Sequence, residues 1–270
     1  MSEMNYPPEE LGLKGKIDAL MREWKKHCDG TPAWKGYFVS DGFFPYYTKQ
    51  AVKILFIGRE SYGLGGADYI EEYYGGMGTP NFHNRLLYLA YGIINGKCSE
   101  RDWLDMPNAG RLDKSLATPA PDGFSYAFMN ASKIDNHTGK SDLVKEQFNV
   151  FIGDEANRAF IIEEMKLLDP DIIISANLGD LGFFKYFNEK YGIEEKDKSL
   201  NTPNRFIRYI TLNGKRIPWI DGWHFSARKS TFECFYEPIC SIAKTLTPQQ
   251  QSYILSKVFV VTGDVFASKR

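Results

Sequence analysis

Four short apolar runs, separated by segments of helical periodicity, set the strongest limit on what this chain can fold into. They are AVKILFIG at residues 51–58, FSYAFMN at 124–130, DIIISAN at 171–177 and RIPWIDGWH at 216–224. The first and third are continuously hydrophobic and rich in β-branched residues, which suits strands covered on both faces of a parallel sheet. Between and after the runs, NRLLYLAYGII at 84–94 and NRAFIIEEMKLL at 157–168 repeat apolar residues three and four apart, and FECFYEPICSIAKTL at 232–246 predicts a further helix. Strands alternating with helices predict a doubly wound, three-layer α/β/α sandwich around a central four-stranded parallel sheet. Such sheets bind ligands outside the carboxyl ends of their strands, so the residues that end each run matter most.

A chain of 270 residues buries one substantial core, and the expected organisation is a single domain with additions. Residues 1–50 supply an amphipathic helix over 11–28 and an aromatic loop or short hairpin packed on the body; residues 51–246 form the α/β body; residues 247–270 are a tail whose VFVVTG can pair as an edge strand. The charged stretch at 191–204 predicts a surface excursion. Net charge is −1, so no global field draws the chain to nucleic acid, and binding there requires a local basic face. Cys28, Cys98, Cys234 and Cys240 have neither metal-ligand spacing nor disulfide-scaffold density. The N-terminal stretch lacks the apolar run of a signal peptide and no apolar stretch approaches a membrane span, which sets the expectation of a cytoplasmic protein without membrane contact.

The first run leads into GRESYGLGG at 58–66, a Gly-rich turn where backbone N–H groups can approach a ligand closely. It lacks both the Walker lysine and the GxGxxG pattern, so nucleotide-phosphate binding is unsupported. Glu60 follows the first run, Asn130 ends the second and His224 ends the fourth, placing a carboxylate, an amide and an imidazole at three strand ends. Each has an ordinary alternative: Glu60 as a helix cap or surface ion pair, Asn130 as a turn residue, His224 as a satisfied, partly buried ring. His27, His83 and His137 have no partner at ligand spacing and are expected to be structural or superficial. Tyr69, Tyr73 and Tyr74 are either one aromatic helix face or a stacking platform, with the helix face favoured. Lys133, Lys140 and Lys145, like Lys185, Lys190, Lys196 and Lys198, are expected on solvated charged faces rather than on phosphates.

Taken in order, KILFIGRESYG, FMNASK, LLDPDIIISANLG and GWHFSAR resemble the uracil-DNA glycosylase superfamily over roughly residues 50–245. VSDGFFPYY ahead of the first strand is most similar to a bacterial branch of glycosylase-like proteins. The resemblance implies that Glu60 orients water against an oxocarbenium-like transition state. It implies that Asn130 reads the base edge, and that His224 stabilises the departing base. Tyr62 would wall off the base, Gly58, Arg59 and Ser61 would line its turn, and Ser226 and Arg228 would meet the DNA backbone. The implied activity is cofactor- and metal-free hydrolysis of an N-glycosidic bond on a flipped uracil or damaged base, by a monomer acting on DNA. Against the family pattern, Glu60 replaces aspartate, Arg59 a glutamine, Ser61 and Phe225 prolines, and Gly63 a histidine. The extra methylene of Glu60 moves its carboxylate by about 1.5 Å, and a misplacement of about 1 Å can cost around 10²-fold. The competing expectations are a binding module that has lost catalysis and keeps its cleft for a nucleobase, nucleotide or protein, or another hydrolase on the same scaffold.

Overall fold

The computed structural model describes residues 4–32, 34–74, 80–119, 123–136, 141–194 and 206–246. In chain order the elements are α1 (Leu11–Asp29), β1 (Gly42–Phe43), β2 (Ile54–Gly58), α2 (Tyr69–Tyr73), α3 (Pro80–Ile94), α4 (Glu100–Leu104), α5 (Ala109–Ser115), β3 (Ala127–Asn130), α6 (Ser141–Gly153), α7 (Glu155–Leu168), β4 (Ile172–Ala176), α8 (Phe183–Tyr186), β5 (Phe206–Leu212), β6 (Lys215–Gly222) and α9 (Glu237–Leu246). The sheet order is β1-β3-β2-β4-β6-β5. The four apolar runs form its parallel centre, with β2 pairing β3 and β4, and β4 pairing β6.

The sheet is wider than expected and mixed: six strands, with β1 antiparallel to β3 at one edge and β5 antiparallel to β6 at the other. The aromatic loop of residues 30–47 therefore makes an edge strand with the body instead of a hairpin of its own. On the far edge, β5 turns into β6 through Asn213 (φ 52°) and Gly214 (φ 77°). Two consecutive left-handed residues match the twist of a two-residue hairpin, which is why Asn-Gly occupies the turn.

Strand side chains alternate between two cores. Leu55, Ile57, Met129, Ile173 and Trp219 pack with α1, α6, α7 and α8, while Ile54, Phe56, Phe128, Ile174 and Ile220 pack with α2, α3, α5 and α9. Both faces of the sheet are thus covered by helices, as the unbroken apolar strands require. Trp24 of α1 donates its indole N–H to Asn157 Oδ1 of α7 at 2.7 Å, which ties the N-terminal helix to the body. The last helix begins with a π-type turn at Phe232–Tyr236, so its Pro238 falls inside an already formed helical path. Among the described residues no helix is long and apolar enough to cross a membrane.

One expectation was wrong in placement. Lys133 is completely buried, clasped by Asp41 (2.5 Å) and Glu164 (2.8 Å), and it lies on no solvated face. Lys145 and Lys185 are exposed, and Lys190 pairs with Glu155 at 2.6 Å. His27 meets Asp154 at 3.2 Å, and His83 is buried among rings. His137, Lys140, Lys196, Lys198, most of the 191–204 stretch and the 247–270 tail lie outside the described residues.

Candidate functional site

Because β3, β2, β4 and β6 are parallel, their carboxyl ends share one edge, and Glu60, Asn130 and His224 stand just at or beyond three of them. The chain leaves β2 for β3 on one side and returns to β4 on the other. The gap between the ends of β2 and β4 is therefore the switch point at which doubly wound sheets bind ligands.

Gly58 and Asn130 are register partners across β2 and β3. The Asn130 side chain lies directly over the Gly58 Cα: a Cβ there would sit 2.5 Å from Asn130 Oδ1 and 2.9 Å from the Phe128 ring. Asn130 donates its backbone N–H to Asp41 Oδ2 at 2.7 Å, while its side-chain Nδ2 is buried with no partner among the described residues. A buried donor left unpaired costs about 1–3 kcal/mol, a cost the protein sustains at this strand end. Gly58→Ala should displace the Asn130 amide and destabilise the fold by about 1–3 kcal/mol through overpacking. A urea titration showing no loss would disprove that close approach.

Arg59 turns back across the switch point, donating from Nε to Ala176 O at 3.2 Å and from Nη2 to Asn177 O at 3.3 Å. Glu60, the next residue, has one carboxylate oxygen buried without a partner among the described residues. Burial pushes its carboxyl up to about 7, against the pull of Arg59 and with a further push from Asp135. Ser61 is buried, its hydroxyl donating to Asp135 Oδ1 at 2.8 Å; Leu64 N–H (3.2 Å) and Gly65 N–H (3.3 Å) also donate to the Asp135 carboxylate. Ser132 N–H donates to Arg59 O and Asn136 N–H to Ser61 O, so the Gly-rich turn is laced to the segment after β3. Tyr62 stands 70% exposed on this laced turn, directed to solvent.

On β6 the strand ends at Gly222 and the chain reaches His224 in a tight loop. His224 Nδ1 lies 2.7 Å from Ser226 Oγ and accepts the Ser226 backbone N–H at 3.3 Å. Accepting at Nδ1 leaves the ring's proton on Nε2, which makes that nitrogen a donor. Burial, reinforced by the charges of Arg59 and Arg85, lowers the ring's pKa to about 4, so it is neutral near pH 7. Ser226 is exposed and serves as the partner of His224; Arg228 is exposed beside it.

Three further residues shape this edge. Arg85 of α3 is buried and donates to the carbonyls of Phe225, Ala227 (2.8 Å) and Lys229 (2.8 Å), with its guanidinium 3.9 Å from the Phe235 ring centroid. It holds the His224 loop by its backbone. Phe82, half-buried at the start of α3, has its ring centroid 6.0 Å from Phe128 and 5.9 Å from His224. It links the Asn130 and His224 ends of the cluster. Tyr69 is buried, stacked on Phe128 at 4.0 Å, and Tyr73 packs on both Tyr69 and His83. These tyrosines form the aromatic helix face and not an open platform, and Tyr74 is partly buried against the same core. The signal for Phe82 and Arg85 was their position at the start of a helix, and spacing alone gave no hint of what they face.

Asp221 accepts from Ser175 Oγ (2.6 Å), Leu178 N–H (2.9 Å) and Gly179 N–H (2.8 Å), and so fixes the turn after β4. Among the described residues no group of three or more His, Cys, Asp and Glu side chains has the geometry to hold a metal ion. An open depression of about 510 Å³ on α6 is lined by Lys145, Glu146, Asn149, Val150 and Tyr186, and by none of the strand-end residues. No family model matches the chain, and a search of curated proteins gives no match.

Proposed function

We propose that this chain binds a nucleobase at the β2–β3–β6 strand ends and hydrolyses its N-glycosidic bond, the base being extruded from DNA. The observation that carries the reading is the pairing of a carboxyl held near neutrality with a neutral imidazole donor on one sheet edge. Ionised Glu60 takes a proton from water as it adds to the sugar. His224 Nε2–H meets the charge that develops on the base. Asn130, with its unpaired Nδ2–H, reads the base edge. Phe82 is the ring best placed to stack on the base, since it touches both Phe128 and His224 and remains half-exposed. The fold in this reading is that of the uracil-DNA glycosylase superfamily, and the protein acts as a monomer.

The test is release of free base from single- and double-stranded oligonucleotides carrying uracil and a panel of deaminated and damaged bases. Release from at least one substrate is the expected result; none from any ends the catalytic reading. A second reading, a nucleobase or nucleotide binding module, draws support from Arg59 lying across the switch point and from Tyr62 facing away. Salt separates the two. Affinity for DNA falls steeply with added salt as counterions are released, whereas a small-ligand site responds little.

A further inference from the structure

The guanidinium of Arg59 is mostly buried, yet its named hydrogen bonds go to neutral carbonyls, Ala176 O and Asn177 O. It feels Glu60, Asp180 and Asp221 only through space. Among the described residues its Nη1 makes no hydrogen bond. A cation removed from water is stable only with compensating charge or dipoles, and two carbonyls supply part of that. Its position is equally specific, at the gap between the β2 and β4 ends, with the same charge acting on His224 and Glu60. At the same strand ends two buried polar atoms, Glu60 Oε2 and Asn130 Nδ2, have no hydrogen-bond partner among the described residues.

We propose that Arg59 is a second stabiliser of negative charge on the departing base, so that the site favours pyrimidine rings that leave, or bind, as anions. This deepens the glycosidic reading and, for its kinetic part, rests on it. The C1′–N bond breaks with its electron pair moving onto the base. Water adds to C1′ and gives its proton to Glu60, and the base anion takes up a proton on release. His224 offers a neutral N–H donor to that anion, and Arg59 adds a full positive charge that needs no proton transfer. The carbonyls at the β4 end hold the guanidinium plane, so little reorganisation is needed when the charge appears.

Two measurements on the intact chain test this. In the first, release of uracil and of 5-fluorouracil is compared in wild type, Arg59→Gln and Arg59→Lys. Arg59→Gln should lower kcat by about 10²-fold. It should also penalise uracil, the poorer leaving group, more than 5-fluorouracil, and Arg59→Lys should recover part of both. Equal losses on the two bases would mean a merely structural residue and would overturn the proposal. The second measurement needs no catalysis: calorimetric binding of barbiturate, an anionic pyrimidine at neutral pH, against neutral uracil. Wild type should prefer barbiturate, and Arg59→Gln should lose the preference; an unchanged preference also overturns the proposal. If wild type releases no base yet shows the Arg59-dependent preference, the glycosidic reading falls and the anion site stands.

Discussion

Replacing Lys133 with methionine should lower the unfolding free energy by about 3–5 kcal/mol, a large share of the stability of any single domain. Lys133 is fully buried between two fully buried carboxylates, Asp41 and Glu164, with its ammonium 4.9 Å from the Trp24 ring centroid. Burial, with Asp41 adding and Lys133 opposing, raises the Glu164 carboxyl far above its ordinary range. Removing the cation strands Asp41, whose other oxygen holds the Asn130 backbone N–H. Urea titrations at pH 7 should show a lower midpoint with an unchanged slope. The combined variant Asp41→Asn, Lys133→Met, Glu164→Gln should recover most of the loss, since it leaves no buried charge. A single-variant loss below about 1 kcal/mol would mean that the cluster is not held together by charge.

That lysine also marks the limit of the sequence. In FMNASK it looks like any cation after a strand, and its partners lie far away in the chain, at Asp41 and Glu164. Burial of a lysine is a tertiary fact, with no periodicity to announce it. The parallel centre of the sheet was legible because strands buried on both faces are apolar almost throughout, and Ile54–Gly58 and Ile172–Ala176 satisfy that at every residue but the buried Ser175. The edges were harder. β1 has only Gly42 and Phe43, too short for any alternation. β5 did carry a signal, the Asn213-Gly214 turn ahead of a continuous apolar run, and its partner strand could have been read from it.

The site was legible to the same depth. Topology alone delivers Glu60, Asn130 and His224 to one edge, because a residue that ends a parallel strand has nowhere else to be. Orientation was not legible. Tyr62 points out to solvent because its neighbours Ser61 and Leu64 are both bound to Asp135, a residue from the far side of β3. Ser226 faces His224 because Arg85 draws in the carbonyls on either side of it. Both arrangements depend on side chains from elements distant in sequence.

Glu60→Gln should abolish most base release while making the protein more stable in mild alkali. The two effects have one cause, the desolvated carboxyl. Its pKa in the folded chain is about 7 against an ordinary value of 4.5, so folding favours the protonated acid. Stability is therefore lost as pH rises from the unfolded value through about 7, where the folded state must give up its proton. At about 1.4 kcal/mol per pH unit the loss reaches about 3 kcal/mol by pH 7 and changes little above it, and glutamine, which does not ionise, escapes it. Thermal midpoints of wild type and Glu60→Gln should thus agree below about pH 4.5, separate between about pH 4.5 and 7 and stay apart by a constant amount above that, with the variant higher. Catalysis runs the opposite way, because only the ionised carboxylate can take a proton from water. Wild-type kcat should rise with pH through about 7 and level off. In the variant it should fall by about 10²–10⁴ and lose that rise. A variant that gains alkaline stability yet keeps its rate would leave Glu60 as a strained structural carboxyl and move the water-activating role elsewhere on the same edge.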